Sequence, residues 1–292
     1  TFPSHPTIQG RPFVLPMLAA PKGPRPRRPD WVAHQKLDGH RRAITIADGK
    51  ITGWSRKGHP AELPGPLRTQ LEVLADIGWR ITLDGELMAD GTWWAFDLPE
   101  LDNGRTAITG RYPLTARLDA LDRLFQAWSP DPAVTRVVPT ARGTEEVELL
   151  VKRVLALGGE GVVHKDPGSA YLPGVRSQRW RKQKNYVDVD CVASGFRVDN
   201  KGRPGRDAHD NIGLAMWTGR KWQHVGEVSR LTGDGPRVQI GDVVAVQILY
   251  STPDDRLYQP TKPRVRDDKD PHDCVTSQLD DCRMNRAVID TL

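Results

Sequence analysis

The sequence predicts an α+β fold for the longer first part of the chain and a small all-β fold for the rest. Up to about residue 186, segments with apolar residues at helical spacing alternate with short segments rich in β-branched residues. Beyond that position, strand-like segments alternate with Gly, Asp and Pro turns, and no long helical pattern follows. Because 292 residues suffice for about two domains, we expect one domain over residues 1–187 and another over residues 188–292.

The elements of the first domain follow from turns and periodicity. Residues 1–30 are rich in proline and predict an extended entry segment, and a D-G-K turn at residues 48–50 joins two strands that start at Trp31. Apolar spacing predicts helices over residues 66–78, 114–128 and 145–161. Two further strands are predicted over residues 79–89 and 93–101. The first domain should therefore consist of antiparallel sheets with flanking helices.

The second domain has the pattern of a small barrel. Strand-like segments such as "GLAMWTG", "KWQHVGEVS" and "DVVAVQILYS" are separated by turn residues. About five such strands without a long helix match the OB-fold, a five-stranded barrel. A hydrophilic segment at residues 197–211 interrupts the strands and carries several basic side chains. We expect this segment to be a loop.

Charge and cysteine content limit the class of protein. The formal charge is +5 and the pI about 9.2, and the basic side chains are clustered, which suits a polyanionic partner. The basic runs lie at residues 22–28, 176–184, 197–206 and 262–269. No apolar stretch reaches the ~18 residues of a membrane span, and we find no signal-peptide pattern. Three irregularly spaced cysteines suit neither a zinc cluster nor a disulfide framework, so we expect a cytoplasmic protein of a bacterium or a virus.

One short stretch, "QKLDGHRR" at residues 35–42, places Lys36 two positions before an Asp-Gly pair. Alone this pattern is weak, because a strand that ends in a D-G turn beside a surface lysine produces it for structural reasons. Further short motifs follow it, namely "WSRKG", "LDGEL", "WWAFDL", "EGVVHK" and "RWRKQK". Their side chains are those that a nucleophilic lysine would need.

The candidate chemistry is attack by Lys36 on a phosphate. A lysine amine is nucleophilic only when it is deprotonated, and neighbouring cations lower its pKa. Lys182 and Lys184 could supply those cations and also bind the phosphate. Glu86 and Glu160 carry hard carboxylate oxygens of the kind that magnesium selects together with phosphate oxygens.

Other side chains in these motifs suit a nucleotide. Phe96 offers a flat face for a base, and Arg41 and Arg56 offer forked donors for phosphate or ribose oxygens. Each motif alone has a structural explanation: Glu86 could be an edge carboxylate, Phe96 a core residue, and the basic run a solvated edge. The ordered series of lysine, acid, aromatic, acid and lysine pair has no such explanation, which favours an active site.

These motifs resemble those of the covalent nucleotidyltransferases, the superfamily of ATP-dependent polynucleotide ligases and mRNA capping enzymes. "KLDGHR" is similar to their motif I, "SRKG" to motif Ia, "LDGEL" to motif III, "AFDL" to motif IIIa, "EGVVHK" to motif IV and "WRKQK" to motif V. The C-terminal "KPRVRDDKDPHD" is similar to motif VI of ATP-dependent DNA ligases, the closest match within the superfamily. The resemblance runs from "LPMLA" at residues 15–19 to about residue 273. It implies a nucleotidyltransferase domain with an ATP-grasp-like fold, followed by the OB-fold domain.

The resemblance implies a role for each matched side chain. Lys36 would attack the α-phosphate of ATP to form a lysyl-AMP, assisted by a magnesium or manganese ion on Glu86 and Glu160. Phe96 would stack on adenine. The other nucleotide contacts would be Arg41, Arg56, Glu86, Lys165, Lys182 and Lys184, the last two on the α-phosphate. The cations that orient the leaving pyrophosphate would be Arg264, Arg266 and Lys269. AMP would then pass to a 5′-phosphate, and a 3′-hydroxyl would expel it.

The expected enzyme is a minimal two-domain DNA ligase that acts as a monomer on nicked double-stranded DNA. The alternatives are an RNA ligase or capping-type guanylyltransferase of the same superfamily, and a non-catalytic DNA-binding module. The segment similar to motif VI favours DNA, and the presence of Lys36, Glu86 and Glu160 favours an enzyme. The sequence departs from the resemblance at His34, where these ligases often have an acidic residue. Residues 197–211 are a candidate for phosphate contacts with the nick.

Overall fold

The computed structural model describes residues 15–20, 30–197, 211–229 and 238–283. The chain forms two compact units. The first contains the chain up to Lys152 together with Gly161–Gln183, and the second contains Arg153–Glu160 and the chain from Lys184 onward. Three segments discussed above lie largely outside the described residues, namely residues 1–30, 22–28 and 197–211.

Strands dominate the chain up to Lys184, with helices between them. The strands are β1 (Leu18–Ala20), β2 (Val32–Gln35), β3 (His40–Ala47), β4 (Lys50–Ser55), β5 (Arg80–Leu87), β6 (Trp93–Asp102), β7 (Ala107–Ile108), β8 (Thr135–Val137), β9 (Gly161–Lys165) and β10 (Arg176–Lys184). The helices are α1 (Gly65–Asp76), α2 (Leu114–Trp128) and α3 (Gly143–Ala156). The α+β class predicted for this part is confirmed.

The larger sheet of the first unit has the strand order β4-β3-β5-β6-β7, and β8 pairs with β6. All pairs are antiparallel except β6 with β8. The turn between β3 and β4 confirms the predicted D-G-K turn. Asp48 and Gly49 have φ angles of 53° and 70°, the left-handed values that a two-residue type I′ hairpin turn requires.

The smaller sheet has the order β1-β10-β9-β2, so β2 and β3 lie in different sheets. The prediction of one continuous strand from Trp31 to the D-G-K turn was therefore wrong. The chain changes sheets at residues 36–39. Gly39 permits this path, because a Cβ atom there would lie 2.5 Å from the carbonyl oxygen of Leu87. The residues around the break are mostly polar, so the sequence pattern gave no sign of the change.

The hydrophobic core of the first unit lies between the larger sheet and the helices α1 and α2. Its buried helix side chains are Leu67, Leu71 and Leu74 of α1 and Leu114, Leu118, Leu121 and Leu124 of α2. Their sheet partners include Ile44, Ile46, Ile81 and Leu83. Because burying one such side chain contributes roughly 1.5–3 kcal/mol, this face accounts for the helical spacing seen in the sequence.

The predicted helices are confirmed, with earlier ends for two of them. The first ends at Asp76, and Gly78, with φ of 72°, lies in the turn that follows. The helix predicted to run to residue 161 ends at Ala156. Gly158 has φ of 68°, and the next N–H group, that of Gly159, donates to the carbonyl oxygen of Val154 at 2.8 Å. Left-handed glycines of this kind end helices by satisfying the last free carbonyl groups.

A buried ion pair joins α2 to the larger sheet. The guanidinium of Arg117 donates two hydrogen bonds to Asp97, at 2.7 and 3.0 Å, and both side chains are 0% exposed. The third nitrogen of the guanidinium, Nη1, donates to the carbonyl oxygens of Tyr112 and Ser169, at 2.6 and 2.8 Å. Asp97 thus has a structural role within the "AFDL" motif.

The second unit is built from strands. They are β11 (Val187–Arg197), β12 (Asn211–Trp217), β13 (Trp222–Ser229), β14 (Val243–Ile248), β15 (Tyr250–Ser251), β16 (Leu257–Tyr258) and β17 (Thr261–Arg266). Short 3-10 helices follow at Pro271–Asp273 and Thr276–Cys282. Five of the strands form one antiparallel sheet in the order β13-β12-β11-β14-β17. Its core includes Ile212, Leu214, Val244 and Val246, and all three cysteines are buried and free.

None of the helices among the described residues combines the length and the apolar character that a membrane crossing requires.

Candidate active site

An open cavity of about 440 Å³ in the first unit surrounds Lys36. Seven of the twelve side chains singled out in the sequence line it, namely Lys36, Arg41, Arg56, Glu86, Phe96, Lys165 and Lys182. The other five belong to the second unit, namely Glu160, Lys184, Arg264, Arg266 and Lys269. The structure therefore brings the first-unit residues of six separate motifs together around one lysine.

The backbone around Lys36 is fixed by two glycines. Lys36 follows directly after β2, and its N–H group donates to the carbonyl oxygen of Gly161 at 2.8 Å. Gly161 has φ of 136°, a conformation that residues with a side chain rarely adopt. On the other side, Gly39 packs directly against the backbone of β5. Lys36 thus lies between two glycines, Gly39 and Gly161, that are far apart in the sequence.

Arg41 is held in the cavity wall by a buried carboxylate. Its guanidinium donates two hydrogen bonds of 2.6 Å to Asp84 and one of 3.2 Å to the carbonyl oxygen of Met17. The hydroxyl of Tyr171 donates to the same carboxylate at 2.6 Å. Burial, reinforced by the charge of Asp84, raises the pKa of Tyr171 well above its ordinary value, so the phenol stays a donor. Arg41 therefore presents its charge to the cavity from a rigid position.

Phe96 lies in the same wall with its ring against two cations. The guanidinium carbon of Arg41 lies 4.4 Å from the ring centroid, and the Nζ atom of Lys165 lies 4.6 Å from it. The ring is 9% exposed, and the residue lines the cavity. Cations at these distances are attracted to the ring face. The Phe96 ring, which is proposed to stack on a base, thus also helps to hold Arg41 and Lys165 in the cavity wall.

Lys165 and His34 form a buried pair in the cavity wall. Their Nζ and Nδ1 atoms are 2.9 Å apart, and Lys165 also donates to the carbonyl oxygen of Phe96 at 3.1 Å. The other ring nitrogen of His34, Nε2, lies 2.9 Å from the hydroxyl oxygen of Thr140. Lys165 Nζ is 4.3 Å from the ring centroid of Trp180. Both members of the pair are 2% exposed and line the cavity.

Burial determines the charge states of this pair. It lowers the pKa of Lys165 to about 7, with Asp97 opposing and Arg41 assisting the shift. Burial, followed by the charge of Lys165, lowers the pKa of His34 well below its ordinary value. His34 is therefore neutral. Lys165, whose pKa is lowered, is the last residue of "EGVVHK".

The cavity carries an excess of positive charge. Its basic lining residues are Lys36, Arg41, Arg42, Arg56, Lys57, Lys165 and Lys182, against one acidic lining residue, Glu86. Strands place them there: Glu86 lies opposite Arg41 in the pairing of β3 with β5, and Lys182 lies on β10. A concave site of one charge sign concentrates ligands of the opposite sign. The arrangement suits a polyphosphate.

The carboxylate in the cavity suits magnesium in its chemistry. Magnesium commonly takes one or two protein carboxylates and completes its shell with phosphate oxygens and water. Glu86 lines the cavity among phosphate-type donors, which is the setting such an ion requires. The described residues contain no group of three or more His, Cys, Asp or Glu side chains placed to hold a metal by themselves.

Two of the predicted residues meet within the second unit. Glu160 is 3% exposed, and its carboxylate lies 3.4 Å from the Nζ atom of Lys184. Lys184 also donates to the side-chain oxygen of Gln259 at 2.9 Å. Burial of a carboxylate requires such a cation nearby.

The motif VI cations share acidic partners within the second unit. Arg266 and Lys269 both donate to Asp190, at 2.9 and 2.8 Å. Arg266 also donates twice to Asp268, and these hydrogen bonds lower the pKa of Asp268 to about 2. Arg264 lies on β17 opposite Ala245 of β14. Asp190 on β11 thus joins the C-terminal cations to the start of the second unit.

Several residues of these sites were missed in the sequence. Asp84 and Asp190 anchor arginines, Tyr171 donates to Asp84, and Trp180 packs against Lys165. A signal for Asp84 was present, because an acidic residue inside an otherwise apolar strand such as "ITLDGEL" needs a buried partner. The other contacts depend on the register of the strands, which the sequence pattern did not provide.

Comparisons with known proteins agree with this geometry. Residues 91–184 match the family model described as "ATP dependent DNA ligase domain". The DNA ligase of Haloarcula marismortui is 42% identical over 83 residues, which cover 28% of this chain and 14% of that protein. The multifunctional non-homologous end joining protein LigD of Mycobacterium bovis is 31% identical over 193 residues, which cover 59% of this chain and 24% of that protein.

One solved structure is similar over nearly its whole length. The structure described as "mycobacterial DNA ligase D complexed with ATP and MES" has a TM-score of 0.51 and 25% sequence identity, and the match covers 90% of this chain and 98% of that chain. The sheet-rich α+β fold is thus that of the nucleotidyltransferase domains of ATP-dependent ligases. The chain is thus similar to ATP-dependent DNA ligases in sequence and in fold, and the resemblance seen in its motifs is confirmed. Its matches span a quarter or less of the length of the two curated relatives named above.

Proposed function

We propose that the chain is an ATP-dependent DNA ligase that seals nicks in duplex DNA. The observation that carries the proposal is the cationic cavity around Lys36, in which Phe96, Arg41 and Lys182 line the same space. The relative named DNA ligase supports the choice of DNA. The similar mycobacterial ligase was solved with ATP, which supports ATP as the nucleotide.

Lys36 acts as the nucleophile of the first step. Its deprotonated Nζ attacks the α-phosphorus of ATP, a P–N bond forms, and the bond to the pyrophosphate oxygen breaks. The fixed cations of the cavity, with Lys182 and Arg56 among them, stabilise charge on the α-phosphate and the leaving group without rearrangement. Phe96 faces the base, and Arg41 and Glu86 face the sugar. Lys165 belongs to the same nucleotide wall.

The later steps return Lys36 to its starting state. A 5′-phosphate oxygen of the nick attacks the phosphorus of the lysyl-AMP, the P–N bond breaks, and AMP is joined to the DNA end. The 3′-hydroxyl oxygen then attacks the 5′-phosphorus, loses its proton, and AMP leaves. Each step exchanges one phosphoryl bond for another, so positioning and fixed charge supply most of the catalysis.

Glu86 and Glu160 are the proposed ligands for magnesium or manganese. When bound, such an ion would supply positive charge to the phosphate oxygens of the nucleotide. The carboxylate of Glu86 would orient the nucleotide from the cavity wall. Glu160, buried beside Lys184, would offer its carboxylate from the second unit.

The second unit is proposed to be an OB-fold domain that starts near Asp188. Its five-stranded antiparallel sheet supports this assignment. Arg264, Arg266 and Lys269 on its C-terminal part would orient the leaving pyrophosphate, and Lys184 would bind the α-phosphate. The proposed substrate is nicked double-stranded DNA, bound by a monomer in the cytoplasm.

Covalent labelling tests the proposal directly. We expect the purified chain, incubated with magnesium and α-labelled ATP, to keep the label after denaturation, and to take up little label from GTP. Lys36→Ala should abolish the label. Lys50→Ala, at an exposed lysine of β4, is the matched control and should keep it. No covalent label from ATP, or a label that persists in Lys36→Ala, would contradict the proposal. Sealing of a nicked duplex by the unaltered chain tests the remaining steps.

A further inference from the structure

We propose that His34 is a positioning residue that holds the ammonium group of Lys165 in the wall of the nucleotide cavity, so that ATP affinity follows the charge of this group. The inference rests on the proposed function of the cavity and adds a pH dependence to it. His34 is also the position at which the sequence departs from the acidic residue often found in the ligases it resembles.

Strand pairing fixes the two side chains next to each other. In the antiparallel pair β2–β9, His34 lies opposite Val163, and Val32 lies opposite Lys165. His34 and Lys165 are therefore diagonal neighbours on one face of the sheet, a distance that long side chains bridge. The resulting contact of 2.9 Å joins Nζ to Nδ1.

The hydrogen bonds define what His34 contributes. Its Nδ1 accepts from the ammonium group of Lys165, and its Nε2–H donates to the hydroxyl of Thr140, an assignment that follows from the two partners. A protonated ring would place an N–H group against the ammonium group. His34 thus holds Lys165 in place as a neutral acceptor, without supplying the negative charge that a carboxylate would.

The carboxylates that act on Lys165 are already paired with other cations. The charged and titratable groups that act on it are Asp84 of β5, Asp97 of β6, Arg41 of β3, Arg117 of α2 and His34 of β2. Each of the two aspartates is bound by its own arginine through two hydrogen bonds. Within the described part of the chain, no carboxylate forms a salt bridge with Lys165. A buried cation without a counterion loses its proton more readily than an exposed one.

This arrangement places the titration of Lys165 near neutral pH. Its pKa of about 7 means that the group is charged below this pH and neutral above it. A polyphosphate is bound more tightly by a charged wall, so affinity for ATP should decrease as the pH rises. A carboxylate at position 34 would keep the lysine charged throughout this range.

The test compares two substitutions of His34 in the full chain. His34→Glu supplies a negative partner, and His34→Gln supplies a neutral acceptor of similar reach. The probe is α,β-methylene ATP with magnesium, which binds without transferring AMP, and its Kd is measured by calorimetry from about pH 6 to about pH 8.5. Dividing each Kd by that of His34→Glu at the same pH removes the titration of the nucleotide itself.

We expect the affinity of the unaltered chain, relative to His34→Glu, to fall by up to about 30-fold over this range, since a group with a pKa of about 7 loses nearly all its protons. His34→Gln should follow the unaltered chain. If Kd depended on pH in the same way in the unaltered chain and in His34→Glu, the inference would be overturned. It would also be overturned if His34→Gln showed the pH dependence of His34→Glu.

A second measurement does not depend on the folding of His34→Glu. NMR of the unaltered chain with labelled lysine side chains should show one resonance that titrates near neutral pH and is absent in Lys165→Met. The absence of any such resonance would overturn the inference. Covalent labelling of Lys36 is measured in parallel: label without the expected pH difference rejects only the role of His34, whereas no label rejects the proposed function.

Discussion

Replacing Arg117 by alanine should severely destabilise the first unit, because this side chain satisfies a buried carboxylate and two carbonyl groups at once. It makes two hydrogen bonds to Asp97 and one each to the carbonyl oxygens of Tyr112 and Ser169. Removing one partner of a fully buried ion pair costs about 3–5 kcal/mol, because the remaining charge has no solvent and no partner. The two carbonyl groups would add to that loss if water did not reach them.

An exposed ion pair between Arg142 and a residue of the same helix provides the control. Arg142 lies 3.5 Å from Asp119 of α2, and these side chains are 41% and 56% exposed. Exposed pairs of this kind contribute about 0–1 kcal/mol, so Arg142→Ala should change the free energy of unfolding little. Equilibrium urea unfolding, followed by tryptophan fluorescence and circular dichroism, measures both variants. Equal losses of stability in the two variants would refute the reasoning.

Two further predictions concern the walls of the cavity. Gly39→Ala should prevent covalent labelling, because its Cβ would lie 2.5 Å from a backbone oxygen of β5. Gly65→Ala is the control and should be labelled normally, since no atom lies within 4 Å of its Cβ. Labelling of both variants would contradict this prediction. Tyr171→Phe should lower the free energy of unfolding by about 1–3 kcal/mol, because the buried Asp84 loses a donor. The exposed Tyr112→Phe should lower it by less, and equal urea midpoints would count against the role of the Tyr171 hydroxyl.

The side chains proposed to carry out the chemistry could be predicted from the sequence because they belong to short motifs. Lys36, Glu86, Phe96 and Lys182 were each singled out by residue type and order, and the structure places them around one cavity. Residue type is informative there, since a nucleophile, a base platform and phosphate donors are chemically distinct. The roles assigned to the individual side chains remain predictions.

The contacts that hold the fold and the cavity wall in place could not be predicted in the same way. Arg117 lies in a helix with a normal amphipathic pattern, where an arginine is expected on the exposed face, and its burial follows only from the position of Asp97. The contact between His34 and Lys165 depends on the register of β2 against β9. Such contacts join residues that are far apart in the sequence, and local pattern carries no information about register.

The smaller sheet has a consequence for the order in which the protein can be made. Its outer strands β1 and β2 pair with β10 and β9, so β2, next to Lys36, finds its partner only after residue 165 has been synthesised, and β1 only after β10 has been. Contacts of such large sequence separation form slowly during folding. A ribosome-bound chain that has not reached β10 would carry Lys36, the proposed nucleophile, but would lack Lys182 and the rest of the β10 side of the cavity.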